Sequence, residues 1–253
     1  MWLILLSSFL FFHMILNDQS QKAEELTAAL LLSVAGGFLD VYSYLYRGHV
    51  FANAVTGNIV LLGLNLSGGE WSSCGKYLLA IAAYASGVLA ACLIHDRLPG
   101  NVRNYWHQAV LLCEIALITA VSFVPYGTLD FVANTAISFL CAMQVQTFRR
   151  VRGLPFASTM CTGNLRSGSE ALFHGLREHE SSELRKALHY YAVIAVFLLG
   201  AFVGAIALGG LGTHTILVVP ALLLVVALLI TSKRQRVWLL RLFRKHRRRK
   251  IPH

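Results

Sequence analysis

Two stretches of this chain are nearly the same: RGHVFANAVTGN at residues 47–58 and RGLPFASTMCTGN at residues 152–164. Seven residues are identical between them once one residue is inserted into the first stretch. Each stretch follows a long apolar segment and opens a shorter one. The repeat therefore marks a duplicated unit of about a hundred residues, which is longer than the repeats of solenoid proteins. The chain is predicted to consist of two homologous halves.

The composition places both halves in a membrane. Hydrophobic residues make up 56% of the 253 residues and charged residues only 13%, whereas a soluble domain has about 45–50% and about 25%. A spanning helix needs roughly 20 mostly apolar residues, because every backbone donor and acceptor must be satisfied within the segment. Six segments meet this requirement and are predicted to span the membrane: 26–46, 77–95, 108–124, 129–148, 188–208 and 213–231.

Two shorter apolar segments, 55–66 and 162–173, begin at or beside the Thr-Gly-Asn motif that ends each repeated stretch. Each has about a dozen residues, a length more typical of re-entrant or interfacial segments than of spans. The predicted fold class is an all-α membrane protein with six transmembrane helices. These form two inverted three-helix repeats, each with a short broken or re-entrant helix at its Thr-Gly-Asn motif.

The basic residues predict the orientation, because Lys and Arg are enriched in cytoplasmic loops near helix ends. With six spans, the N-terminus, residues 95–107, residues 149–187 and the C-terminal tail share one side. That side holds all 22 Lys and Arg residues except Arg47 and Lys76. Both termini are therefore predicted to be cytoplasmic. Three spans per half would insert the second half upside down relative to the first, so that the two short helices enter from opposite faces and meet near the midplane.

The Thr-Gly-Asn motif suits such a meeting point. Gly57 and Gly163 permit close approaches that a side chain would block, and Thr or Asn oxygens can cap the free N–H groups of a helix start. Helix N-termini carry partial positive charge, which favours an anion or the oxygen of a polar solute. The alternative is that the motif only caps and turns a short helix, with no ligand.

The sequence around the motifs resembles the YoaK family of bacterial membrane proteins. The first half carries AGGFLD at 35–40, VFAN at 50–53 and TGNIVLLG at 56–63, and the second carries AMQVQTFR at 142–149 and ASTMCTGNLRS at 157–167. The resemblance covers roughly residues 26–231. It implies a multi-pass protein of the bacterial plasma membrane and implies no substrate, because the family has no established activity.

Two acidic residues lie inside predicted spans, where a charge costs roughly 2.5–3.5 kcal/mol and is usually kept for a reason. Asp40 corresponds in the second half to Val145, which is flanked by Gln144 and Gln146. This asymmetry would suit a single proton- or cation-binding group. Alternatively, Asp40 accepts hydrogen bonds from a helix end or pairs with Arg47. Glu114 is expected to pair with a basic group from the cytoplasmic loops.

Two functions from different classes remain open: a small-solute transporter or channel for a small polar or anionic solute, and a membrane scaffold or regulatory partner protein. No catalytic motif is found, so the chain is predicted not to be an enzyme, and no metal or cofactor is expected. The candidate substrate-path residues are Asp40, Asn53, Thr56, Gly57, Asn58, Gln144, Gln146, Thr162, Gly163 and Asn164, with Glu114 as a secondary ionisable candidate.

The predicted organisation is an N-terminal segment (1–25), two membrane repeats (26–126 and 127–232) and a basic cytoplasmic tail (233–253). Two interpretations of residues 1–13 stay open: a start-site artefact, or an extra N-terminal segment that dips into the membrane. The tail is expected to contact the anionic headgroups of the lipid bilayer, and no nucleic-acid partner is expected. Gly200 and Gly204 have a spacing that favours close helix packing within the chain, and a homo-oligomer is left open.

Overall fold

The computed structural model describes residues 25–99, 105–151, 154–155, 158–211 and 213–231. Residues 1–13, to which the two interpretations apply, lie outside these residues, as do most of the other residues of the N-terminal segment and the basic tail. Most of the second Arg-Gly-x-x-Phe-Ala stretch, including Arg152, also lies outside them.

The described residues are almost entirely helical, which confirms the all-helical class. The helices are α1 (Glu25–Tyr46), α2 (Val55–Ser67), α3 (Trp71–Arg97), α4 (Trp106–Val121), α5 (Asp130–Thr147), α6 (Cys161–Arg177), α7 (Ser181–Leu211), a 3-10 helix (Thr213–Leu217) and α8 (Val218–Leu229). Between α5 and α6, the two-residue strands β1 (Arg150–Val151) and β2 (Leu154–Pro155) pair in antiparallel fashion.

Three helices are long and apolar enough to cross a membrane by length and composition: α1, α3 and α7. The other three predicted spans coincide with shorter helices. The 16 residues of α4 extend over only about 24 Å, at 1.5 Å per residue, against a hydrocarbon core of about 30 Å. This helix stops before Pro125, because the residue that precedes a proline disfavours the helical conformation. The six-span arrangement therefore stays a prediction.

The first helix of each half is paired crosswise, through glycines, with the third helix of the other half. A Cβ atom on Gly200 of α7 would lie 2.1 Å from the carbonyl oxygen of Val34 in α1, and one on Gly87 of α3 would lie 2.3 Å from that of Phe139 in α5. Val34 and Phe139 are 105 residues apart, as are the two Arg-Gly pairs at 47–48 and 152–153. Equivalent positions of α1 and α5 thus contact the third helix of the opposite half.

The turns that follow α2 and α6 also share one geometry. At Gly69 the backbone φ is +74°, and the next amide donates to Asn65 across 2.9 Å. His179 has φ of +53°, and the next amide donates to Gly175 across 3.1 Å. A left-handed residue followed by this long-range amide bond is a common helix ending. In each half it reverses the chain from the short helix into the long one.

Arg47 joins the end of α1 to the end of α4 and the start of α5. Its side chain is completely buried, and its guanidinium pairs with Asp130 at 3.1 Å. The remaining acceptors are the Tyr42 hydroxyl (2.9 Å) and the carbonyl oxygens of Val121 (3.1 Å), Val124 (2.9 Å) and Pro125 (3.1 Å). One planar cation therefore binds the carbonyl of the last residue of α4 and two carbonyls of the turn that follows it.

The apolar core lies between α1, α4, α5 and α8. Its fully buried side chains include Leu32, Leu111, Ile137 and Leu223. Most of the apolar residues of α3 and α7 face away from this core, as expected for a lipid-facing surface. This packing places the segment before α2 beside the buried face of α1, where the candidate site lies.

Candidate functional site

The loop between α1 and α2 folds back onto Asp40, which is only 5% exposed. The backbone amide of Asn53 donates to Asp40 Oδ1 across 2.7 Å, and the carboxylate also interacts with the amide of Ala54. The Ala52 amide donates to the Ser43 hydroxyl across 3.0 Å. Ala54 is the N-cap residue of α2 and offers no side-chain cap. Asp40 therefore supplies the negative charge at the start of α2 from a different helix, where it is stabilised by the helix dipole. Of the two structural alternatives for Asp40, the structure has the helix-end contact, since Arg47 pairs with Asp130 instead.

The Thr and Asn oxygens of the Thr-Gly-Asn motif were expected to cap the helix start. Neither α2 nor α6 has a side-chain cap at its N-cap residue. Asn58 lies inside the first turn of α2, where its side chain accepts from the Phe51 amide at 2.9 Å and donates to the Phe51 carbonyl at 2.7 Å. A Cβ atom on Gly57 would lie 2.9 Å from the Phe51 ring. Thr56 is exposed. The motif of the first half thus clamps the preceding loop, because both groups contact a residue upstream of the helix.

The second copy of the motif is less constrained. Asn164 is buried at 3% exposure, as Asn58 is at 1%. Thr162 is exposed, and a Cβ atom on Gly163 would meet nothing within 4 Å. Of the residues shared by the two motifs, only the asparagines are buried, so the threonines do not line the interior of the described structure.

The segments before α2 and α6 converge on one turn of α1. Asn53 and Thr159 each lie one residue before the N-cap residue of the following helix, and they are 106 residues apart, as the two motifs are. The side-chain nitrogen of Asn53 (Nδ2) lies 3.4 Å from the carbonyl oxygen of Gly36. A Cβ atom on Gly36 would lie only 2.5 Å from the Thr159 methyl carbon. Equivalent residues of the two halves therefore meet at a glycine that permits the approach.

Each of these two residues has a buried oxygen with no hydrogen-bond partner. The atoms are Asn53 Oδ1 and Thr159 Oγ1, on side chains that are 5% and 8% exposed. Buried polar atoms almost always have a partner, so each exception requires an explanation.

A second buried carboxylate, Glu114, lies between α4 and α5. It is fully buried, and both of its oxygens lie 2.9 Å from the Gln144 amide nitrogen. The Ser158 hydroxyl lies 3.4 Å from the other end of the same amide. Glu114 was expected to pair with a basic group, and this expectation was wrong. The buried face of α4 directs Glu114 toward the amide on α5, rather than toward the cytoplasmic loops.

Cys141 connects the two carboxylates. Its thiol is buried, interacts electrostatically with both Glu114 and Asp40, and faces the side-chain N–H group of Asn53, which leaves Asn53 Oδ1 without a donor. Seven residues form what we call the central polar cluster: Asp40, Asn53, Glu114, Cys141, Gln144, Ser158 and Thr159. Within the described part of the chain, no Lys, Arg or His forms an ion pair with either carboxylate of the cluster.

The sequence prediction missed three members of the cluster: Cys141, Ser158 and Thr159. Thr159 could have been found, because it takes the place of Asn53 when the insertion is allowed for. Gln146, which was predicted, instead donates to the Cys92 sulfur at 3.0 Å and joins α5 to α3. Among the described residues, no group of three His, Cys, Asp or Glu side chains could hold a metal ion.

Comparison with known proteins gives a family and one curated relative. A family described as "Protein of unknown function (DUF1275)" matches residues 28–229. The UPF0700 transmembrane protein YoaK of Bacillus subtilis (strain 168) is 27% identical over 217 residues, which cover 82% of this chain and 93% of that protein. No solved structure matches the chain.

Proposed function

The chain belongs to the DUF1275 family of membrane proteins of unknown function, and on that premise we propose that it is a small-solute transporter or channel-like protein. The proposal places it in the bacterial plasma membrane with both termini cytoplasmic. Its two halves are inverted three-span repeats, and it carries out no enzymatic step. The basic tail at 233–253 would bind anionic headgroups.

The convergence at Gly36 carries this proposal. Asn53 and Thr159 come from equivalent positions just before the two short helices and reach the same turn of α1. In inverted-repeat transporters, discontinuous helices that approach from opposite faces form the site near the midplane. Asp40, Asn53 and Thr159 of the central polar cluster lie at the convergence near Gly36. Buried ionisable groups within membrane segments are usually kept for function.

The crosswise helix pairing supports a two-fold relation between the halves, which an inverted repeat requires. A two-fold axis in the membrane plane would exchange α1 with α5 and α7 with α3, and would therefore superpose the contact at Gly200 on the contact at Gly87. The same operation would superpose the turns at Gly69 and His179. Both pairs have matching geometry, as such an axis requires.

The second candidate is a non-transporting scaffold or regulatory partner, and one observation favours it. Asp40, Gly57 and Asn58 are all used to hold the loop before α2 in place. Residues that a transport path would require therefore already have structural contacts. A scaffold would need nothing further from them.

Permeation through proteoliposomes distinguishes the two. Vesicles with the full-length protein are mixed rapidly with hyperosmotic urea, glycerol, acetamide or formate, and light scattering follows their reswelling. The proposal expects faster reswelling than in empty vesicles for at least one solute. Glu114→Gln, which keeps the shape of the side chain, should slow it, while Asp96→Asn at an 82% exposed side chain should not. Reswelling at the rate of empty vesicles for every solute would remove the transport proposal.

A further inference from the structure

We propose that the central polar cluster binds a monovalent alkali cation, with Asp40, Asn53 Oδ1 and Thr159 Oγ1 supplying oxygen ligands. This inference deepens the proposed function, on which it rests for the role of the cation as cargo or coupling ion. The binding itself does not require transport.

The cluster disfavours an anion because its positive end is already used. The start of α2 would attract an anionic solute if its amides were free. The amides of Asn53 and Ala54 instead interact with the Asp40 carboxylate, and the Ala52 amide donates to the Ser43 hydroxyl. A second anion at this place would face Asp40 and, across Cys141, Glu114. The sequence-based preference for an anion therefore gives way to a cation.

Two carboxylates at this depth require compensation. Buried charges are normally paired or coordinate metal ions. Glu114 has only the Gln144 amide, and Asp40 only backbone amides. Arg47 is close to Asp40 in the sequence and is buried, but its guanidinium binds Asp130 and the end of α4, so it does not neutralise Asp40. A mobile cation or a proton must then supply the positive charge.

The two unpartnered oxygens favour a metal cation over a proton alone. Asn53 Oδ1 and Thr159 Oγ1 are buried acceptors at equivalent positions of the two halves. Amide, hydroxyl and carboxylate oxygens are the ligands that hard cations prefer. The described residues contain no group of three His, Cys, Asp or Glu side chains that could hold a metal ion. The proposed ligands are one carboxylate, one amide oxygen and one hydroxyl, so they are not a group of that kind. In inverted-repeat transporters, unwound backbone carbonyls and the C-terminal ends of half-helices hold Na⁺ or protons. Here the Asp40 carboxylate offsets the positive charge at the start of α2.

Protons should compete with the cation. The titratable groups that face Asp40 are Cys141 on α5, Tyr84 on α3 and Cys161 at the start of α6. Glu114 interacts with the same Cys141. The two cysteines and the tyrosine are neutral when protonated, so protonation of the carboxylates removes the only negative charges that attract the cation. Apparent cation affinity is therefore expected to fall as the pH is lowered.

The test measures thermal stability of the purified full-length protein in detergent. Unfolding is followed by tryptophan fluorescence during titration with NaCl, KCl or LiCl, with choline chloride holding the ionic strength constant. A ligand that binds only the folded state raises the unfolding temperature in a saturable way. We expect such a rise with at least one of the three cations, and a weaker apparent affinity at pH 5.5 than at pH 8.

Substitutions at Thr159 locate the effect. Thr159→Val removes the hydroxyl and should weaken the apparent affinity at least tenfold, whereas Thr159→Ser keeps it and should bind as the wild type does. Thr159→Ala serves if the valine variant does not fold. The matched control is Thr135→Val, because the Thr135 hydroxyl is bonded to Phe131 within its own helix. No cation-specific rise in the folded wild type, or equal affinity in all variants, would overturn the inference.

The two proposals can fail separately. Solute permeation that is the same in choline, sodium, potassium and lithium, with no cation binding, would leave the proposed function and remove the cation site. Cation binding that depends on Thr159, with reswelling no faster than in empty vesicles, would leave the site and remove the transport function.

Discussion

Replacement of Arg47 by methionine tests whether one buried cation holds α1, α4 and α5 together. Methionine keeps a flexible apolar stem but loses the guanidinium. Five acceptors then lose a donor: the Tyr42 hydroxyl, the Asp130 carboxylate and the carbonyl oxygens of Val121, Val124 and Pro125. The Val121 carbonyl keeps the Val124 amide as a second donor. The rings of Tyr42 and Tyr126 also lose a cation whose central carbon lies 5.6 Å and 4.0 Å from their centroids.

The expected loss follows from these contacts. Removing one partner of a buried ion pair costs about 3–5 kcal/mol, and each buried carbonyl left without a donor costs about 1–3 kcal/mol. Asp130 is 17% exposed, so water can recover part of its solvation. The carbonyls without a donor increase the loss of stability, and the hydration of Asp130 reduces it. We therefore expect a net loss of about 3–5 kcal/mol. At about 2–4 °C per kcal/mol for a chain of this size, the unfolding temperature should fall by about 6–20 °C.

Unfolding in mixed detergent micelles, followed by tryptophan fluorescence, measures the difference. Arg97→Met is the matched control, because Arg97 is exposed at the end of α3. Adding Asp130→Asn to Arg47→Met removes the orphaned carboxylate, so the double variant should lose less than the sum of the two single losses. If Arg47→Met and Arg97→Met unfold within about 1 kcal/mol of each other, against the 3–5 kcal/mol of a buried pair, the interpretation of Arg47 is refuted.

Two further predictions concern the crosswise pairing and its orientation. Gly87→Ala and Gly200→Ala each force a Cβ atom against a backbone oxygen, so each should destabilise the fold by about 1–3 kcal/mol in thermal unfolding, whereas Gly75→Ala, with nothing within 4 Å, should not. Single cysteines at the exposed positions Glu70 and Glu180, in a cysteine-free background, should react with an impermeant maleimide from opposite sides of the membrane. Labelling of both from the same side would contradict the inverted repeat.

Local patterns predicted the short helices well. The first was expected to begin at residue 55 and begins at Val55, and the second was expected at residue 162 and begins at Cys161. Both starts are encoded by an apolar run that follows small and polar residues, which is a signal within one helical turn. The partners of the carboxylates were harder to predict, because Glu114 and Gln144 lie 30 residues apart on different helices.

The cap of α2 shows why the site could be predicted only in part. Asp40 was identified because it is an acidic residue in an apolar span, and its role as an acceptor for a helix end was one of the alternatives. Which helix end it serves depends on the loop at residues 47–54, which returns Asn53 to a residue thirteen positions earlier in the chain. Thr56 and Asn58 were the obvious caps by composition. The clamp on Phe51 uses Asn58 for another purpose, and no periodicity reveals that choice.

The two exceptions to the positive-inside count now have a physical reason. Arg47 is consumed by Asp130 and the end of α4, and the Lys76 ammonium donates to the Gly48 carbonyl at 2.7 Å, with the Tyr77 ring 5.0 Å away. Both side chains therefore hold the Arg-Gly loop in place. Once these two structural cations are set aside, the other 20 of the 22 Lys and Arg residues fall on a single predicted side. The expectation of cytoplasmic termini stays a prediction that rests on this excess of basic residues on one side.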